Sequence, residues 1–176
     1  MNLDRAKAPN PLDFLPAAPA ELTVTSEDFT DGGPLPGHCG FGAGNTSPQL
    51  SWEGAPESTR SFMVLCLDPD APVAGGFRHW GVIGIPADVT SLPAGAGTVE
   101  GTLPPGAVML ANDYGTRDFG GAAPPQGDGP HRYIFMVLAL DTDETGLDAG
   151  TSFAKAQFAT LDHVVARGAI TGTYEL

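Results

Sequence analysis

Basic side chains are scarce in this chain. Eight Lys and Arg face 21 Asp and Glu, for a formal net charge of −13. A surface of that sign repels phosphate polymers and anionic membranes at long range, which excludes nucleic acid as a partner. Any bound anion has to be held by local donors against the overall field. Cysteine is nearly absent, and Cys39 and Cys66 are too few for a disulfide framework. Cys66 lies inside the apolar run 62–67 and reads as a buried thiol, whereas Cys39 lies in a Gly-rich loop. His38 precedes Cys39 directly, and adjacent residues lack nucleophile–base geometry. No apolar h-region opens the chain, so neither a signal peptide nor a transmembrane segment is expected, and the cytoplasm is the expected location. There is no Gly-x-Ser-x-Gly elbow and no Cys-x-x-Cys pair, and Lys7 and Lys155 lack a phosphate-loop context. Gly40-x-Gly42 is followed by Asn45 where a dinucleotide fingerprint needs its third glycine.

What is present is turn-forming. The 176 residues include 24 Gly and 17 Pro, clustered without a fixed period, which implies many turns between short strands. The length suits one well-buried core and is short for two ordinary domains. Residues 1–20 carry four prolines and no periodicity, and are expected to form an arm that lies on the surface or is disordered. A single domain is expected over 21–176. Leu22, Val24 and Phe29 frame a first strand, and 50–52 a short one. Residues 61–67 form a continuous apolar run of the kind buried on both faces. Residues 77–85 form another strand, stopped by Pro86, and 93–130 are loop-rich. His131 to Leu140 is the strongest strand. Ala154, Phe158, Leu161 and Val165 recur at helical spacing, predicting a helix over about 152–167 with Gly168 at its C-terminal cap. Residues 169–174 then return as a final strand. The fold class is mostly β, an antiparallel sandwich-like architecture with one or two peripheral helices.

Three segments concentrate polar groups. Asp68-Pro69-Asp70-Ala71-Pro72 directly follows a buried strand, and His79-Trp80 lies in the next one. Gly120-Gly121 runs through Pro124-Pro125 to His131-Arg132-Tyr133. The strand period of two puts His131 and Tyr133 on one face and Arg132 on the other, where pairing with a buried carboxylate is expected. Asp68 and Asp70 could equally cap a turn. His163 is placed on the helix near Arg167, in solvent, and Trp52 and Trp80 are core residues.

These motifs, in this order, resemble the double signature of the phosphatidylethanolamine-binding protein family, in its bacterial branch. Ser47-Pro48-Gln49-Leu50-Ser51-Trp52, Ile85-Pro86-Ala87 and Ala139-Leu140-Asp141 support the resemblance, which covers roughly residues 22–174. It implies a small cavity opening to the surface, lined by Asp68, Asp70, His79, Pro124, Pro125, His131 and Tyr133. Phosphate, phosphorylated headgroups, acetate-like anions or nucleotides are the implied ligands. The chemistry suits them: imidazole N–H groups, a phenol and Gly-rich backbone N–H groups can donate to oxyanions. A nearby Asp would raise an imidazole pKa and favour the cationic donor. Departures from the family include Arg78, where bacterial relatives often carry an aromatic residue. The C-terminal helix of eukaryotic members is also missing, so their kinase-regulating behaviour is not carried over.

The leading expectation is a non-catalytic binder of a small anion that regulates a partner protein, without a cofactor, and as a homodimer by family resemblance. An enzyme using the same Asp and His residues as acid and base is the alternative. A metal site built from His79, His131 and a carboxylate is chemically possible, but the ligands lack a metal-type spacing.

Overall fold

Strands that are apolar on every residue need cover on both faces, and the chain supplies two layers of it. The computed structural model describes residues 5–176; the first four residues of the expected arm lie outside the described residues. Nine strands follow one another: β1 (Ala20–Glu21), β2 (Thr23–Thr25), β3 (Leu50–Glu53), β4 (Ser61–Asp68), β5 (Phe77–Pro86), β6 (Ser91–Leu92), β7 (Val108–Met109), β8 (His131–Leu140) and β9 (Val164–Tyr174). Among the described residues one α-helix, α1 (Phe153–Ala159), precedes the last strand. Six strands form the main sheet in the order β1-β9-β8-β4-β5-β7, and β2-β3-β6 form a second sheet. All pairings are antiparallel except β1 with β9.

β4 and β8 lie at the centre of the main sheet. The second sheet covers one face, where Leu50, Trp52 and Leu92 share a core with Phe62, Val64, Phe135 and Val137. On the other face, Met63, Leu65, Met136 and Leu138 are covered by Phe153 and Ala156 of α1. Leu12 and Leu15 of the N-terminal arm pack against that second cluster. The unbroken apolar runs of β4 and β8 follow from this double cover.

The helix is shorter than its spacing predicts. It starts where expected, with Ser152 Oγ accepting from the Lys155 N–H, but ends at Ala159. The buried residues are Phe153, Ala156 and Thr160, whereas Phe158 of the expected stripe is 82% exposed. Thr160 donates its hydroxyl to the Ala156 carbonyl and closes the last turn. A 3-10 turn over Leu161–His163 follows, and the β-branched pair Val164-Val165 enters β9, with Val164 opposite Leu140. Ten ladder positions along β8 outweigh a weak helical propensity. His163 therefore sits in a turn and pairs through Nδ1 with Asp141 at 2.8 Å.

Gly168 is likewise mid-strand, opposite Val137, rather than a helix cap. Its lack of a side chain serves a close approach, because a Cβ there would stand 2.1 Å from the Leu22 carbonyl oxygen. Leu22 in turn donates its N–H to the Arg167 carbonyl, so the link between the two sheets passes over this glycine. Gly168→Ala is expected to destabilise the fold by about 1–3 kcal/mol through overpacking against backbone. Chemical denaturation checks this; an unchanged midpoint would remove the close-approach account.

Candidate functional site

A cavity of about 230 Å³ opens at the end of the main sheet where β4 finishes and β8 begins. Asp68 terminates β4 and His131 starts β8, so the antiparallel pairing brings them together from 63 residues apart. The loop after β4 adds Ala71, Pro72 and Val73; the segment before β8 adds Ala123, Pro124 and Pro125. Phe77 and His79 of β5 and Tyr114 complete the lining.

His79 reaches this wall through a break in the ladder. Cys66 pairs with Trp80 and Leu67 with Arg78, so His79 is left without a partner at a register shift. Such a bulge re-aims side chains. Here Arg78 keeps to the α1 face, while His79 and Trp80, adjacent in sequence, both serve the opposite one. The ring packs edge-on against Tyr133, with centroids 5.0 Å apart, and its Nδ1 lies 2.6 Å from the Gly120 carbonyl oxygen. A carbonyl only accepts, so Nδ1 carries the proton and Nε2 is the ring nitrogen left for the cavity. Burial lowers the pKa of His79, against opposing contributions from the Gly120 carbonyl and the Asp68 charge. Asp68 works in the upward direction that the sequence leads one to expect, but dehydration outweighs it and favours the neutral ring.

Both nitrogens of His131 face carboxylates. Nδ1 is 2.8 Å from Asp68 Oδ2 and Nε2 is 3.0 Å from Asp128 Oδ2. Donation to both oxygens requires an N–H on each nitrogen. Asp68 Oδ1 accepts from the Asp70 N–H at 2.7 Å, so both Asp68 oxygens are committed to protein donors. The Asp70 carboxylate turns to the other side and binds Arg132 at two points, Oδ2 to Nε and Oδ1 to Nη2, each at 2.8 Å. Arg132 thus pairs with a buried carboxylate, as its place in the strand alternation predicts. Burial by itself would raise the Asp70 pKa, but the side-chain and backbone hydrogen bonds from Arg132 and its charge hold it below the usual range.

This network runs into the N-terminal arm. Arg5 donates to Asp128 Oδ2 at 2.7 Å, the same oxygen that faces His131, and also reaches the Asp70 carbonyl. Lys7 binds the Pro130 carbonyl, and Arg132 binds the Ala8 carbonyl.

Of the residues expected from the sequence, Asp68, His79, Pro124, Pro125 and His131 line the cavity together. Asp70 and Tyr133 do not. Asp70 faces Arg132, and Tyr133 is fully buried behind His79, with a hydroxyl that has no hydrogen-bond partner of ordinary geometry. Burial, followed by the charge of Asp68, pushes the Tyr133 phenol well up. The Gly-rich backbone is also occupied: the N–H groups of Gly120, Gly121 and Ala122 bond to the His79 carbonyl, Asn45 Oδ1 and the Cys39 carbonyl. Sequence reasoning missed Phe77, Tyr114 and Asp128. Asp128 could have been found as the carboxylate three residues before His131. Tyr114 lies in a turn with no periodic signal.

The Asp70–Arg132 pair gives a stability expectation. Asp70→Asn keeps the shape and removes the charge. It is expected to destabilise by about 1–3 kcal/mol, less than a fully buried pair because Arg132 is a quarter exposed. The folded pKa of Asp70 is depressed, so its stabilisation is present above the unfolded value near about 3.9 and is lost as pH falls through the folded value. The gap between wild type and Asp70→Asn in urea melts is therefore expected to narrow in acid; a gap that stays constant would discard the pair as its source.

Comparison with known proteins identifies the family of the chain. Residues 25–175 match the family profile described as phosphatidylethanolamine-binding protein. The chain is 46% identical over 166 residues to the UPF0098 protein YbcL of Escherichia coli, covering 91% of each chain. It is 39% identical over 158 residues to YbhB of the same organism, covering 87% of this chain and 99% of that one. The crystal structure of E. coli YbcL, described as a new member of the mammalian PEBP family, superposes with a TM-score of 0.84 at 45% identity, covering 89% of this chain and 99% of that one. A homologue from Chlamydia trachomatis superposes with a TM-score of 0.78 at 29% identity, over 89% and 98% of the two chains. Profile, identity and topology converge, and the chain belongs to the phosphatidylethanolamine-binding protein family.

Proposed function

We propose that the cavity binds a small oxyanion, a phosphate or a phosphorylated headgroup or metabolite, and that a proton enters with it at His79. The observation that carries this reading is the pinned ring: Nδ1–H is held by the Gly120 carbonyl, Nε2 is left for the cavity, and burial favours the neutral imidazole. A neutral Nε2 accepts, and so does an oxyanion oxygen. The two can meet only with a proton between them, taken from solvent or carried by the ligand. The resulting imidazolium–oxyanion bond is charge-assisted and offsets the dehydration that kept the ring neutral. Asp68 does not oppose the ligand strongly, because its two oxygens are already turned toward His131 and the Asp70 N–H. Pro72, Pro124 and Pro125 give stiff walls that need no ordering on binding.

The family name points to a phosphorylated headgroup as the ligand class. The family resemblance supports regulation of a protein partner as the use of that binding, and a homodimer as the assembly. His131, held between two carboxylates, acts in this reading by fixing the cavity floor, with Asp70 and Tyr133 supporting it from behind.

Two probes separate the sources of the proton. Hydrogen phosphate can bring its own, whereas sulfate has none to give between about pH 5.5 and 8, the range of a histidine switch. Sulfate affinity is expected to rise as pH falls, approaching about tenfold per unit while one proton is taken up per anion. Phosphate is expected to bind with a roughly micromolar-to-millimolar Kd and a shallower slope. Calorimetry with both anions, on wild type and His79→Ala, checks this. A flat sulfate profile, or unchanged affinity in His79→Ala, would refute proton-linked binding at His79.

A further inference from the structure

A second cavity, of about 210 Å³, lies on the opposite face of the same strands. Its floor is Leu65 and Leu67 of β4 with Ile134 and Met136 of β8. Each alternates with a residue of the other face: Leu67 precedes Asp68, and Ile134 follows Tyr133. Phe153 and Gln157 of α1 form one side. The N-terminal arm is the roof, contributing Pro11, Leu12 and Leu15. Arg78, the neighbour of His79 across the bulge, stands at the edge.

From this geometry we infer a second ligand site, for a small monocarboxylic acid with a compact apolar body, of the size of benzoate. Three observations carry it. A cavity of roughly 150 Å³ lined by Leu, Ile and Phe stays dry and accepts benzene, so this space holds a ring and leaves room for one small polar group. The lining is aliphatic and aromatic apart from Gly75, Arg78 and Gln157, and only the last two carry side-chain donors. The Arg78 guanidinium is only loosely engaged, its Nη1 standing 3.4 Å from Asp113 Oδ2, and a guanidinium fork matches a planar carboxylate. A single negative charge suits the one guanidinium in the lining, whose contact with Asp113 is long and partly exposed to solvent. A dianion would leave charge unpaired among apolar side chains. A cation would meet Arg78 without an answering carboxylate in the lining.

The arm that roofs this site is fixed by bonds outside it. The Lys7 and Arg5 side chains hold its start against Pro130, Asp128 and Asp70, and Asn10 caps the 3-10 turn that presents Leu12. A roof tied down at its start can admit a ligand by lifting near Leu15 without loss of the arm. The site does not depend on the oxyanion reading, since no residue lines both cavities.

The test is a titration of the full chain with benzoate, with toluene as the uncharged probe and benzylamine as the cationic one, followed by methyl and histidine NMR. Benzoate is expected to shift the methyl groups of Leu12, Leu15 and Met136 to saturation while the His79 and His131 ring signals stay in place. Arg78→Met is expected to weaken benzoate by about tenfold or more and toluene by less than about twofold, as loss of one charge-assisted contact requires. Met136→Trp, which fills the space from the floor, is expected to abolish both and guards against misfolding of the Arg78 variant. Methyl signals unmoved by benzoate, benzylamine bound as tightly as benzoate, or benzoate shifts confined to the His79 ring would each overturn the inference.

Discussion

Everything at the pocket end of this fold depends on one imidazole held between two carboxylates. His131 touches Asp68 on one side and Asp128 on the other, and all three are almost withdrawn from water. Charges taken out of water are tolerable only when each is answered at hydrogen-bond distance. The answer here is distributed: Asp68 also takes the Asp70 N–H, Asp70 takes Arg132, and Asp128 takes Arg5. The contacts run from Arg5 of the arm through Asp128, His131 and Asp68 to the Asp70 N–H, and the Asp70 carboxylate carries them on to Arg132 of β8. Removing His131 takes one partner from each of two nearly buried carboxylates, so this network helps to fix loop positions at the pocket end.

The network also explains how one sheet serves two kinds of surface. β4 and β8 are apolar along most of their length because layers cover both faces, but their paired ends project past that cover. At that edge the alternation of the strand sorts chemistry by face. Asp68 and His131 go to the cavity, and Arg132 goes to the arm side. The bulge in β5 adds His79 to the cavity face without displacing Trp80 from the core, a placement that unbroken alternation forbids.

Much of this was legible in the sequence, and the exceptions have physical reasons. Continuous apolar runs marked β4 and β8, and a double motif marked the cavity's walls. Spacing failed at 152–167, because the residues with helical periodicity were not those that bury; pairing with β8 captured Val164 onward. At the site, Asp70 and Tyr133 were grouped with the lining because motif membership does not reveal which way a side chain turns. Asp70 is two residues past the end of β4 and turns away from the cavity to reach Arg132. Tyr133 does share the face of His131, but one step deeper, where the ring of His79 covers it. Arg5 escaped notice because its role comes from a contact across 123 residues that no local pattern encodes, whereas Asp128 was signalled only by its place three residues before His131.

The overall charge leaves a question that local structure answers. A protein of net charge −13 should discourage anions, and at long range it does, slowing their approach in a salt-dependent way. Equilibrium binding, however, is set by groups within a few ångströms of the ligand, where the low dielectric magnifies each contact. There both Asp68 oxygens are already engaged by His131 and a backbone N–H, and burial favours the neutral ring of His79. A pocket that stored a fixed positive charge would lose less on binding but would sit unpaired and dehydrated when empty. In the proposed reading the pocket acquires its charge together with the ligand and avoids that standing destabilisation. The price is an affinity tied to pH, and the acidic surface works in the same direction by favouring the incoming proton.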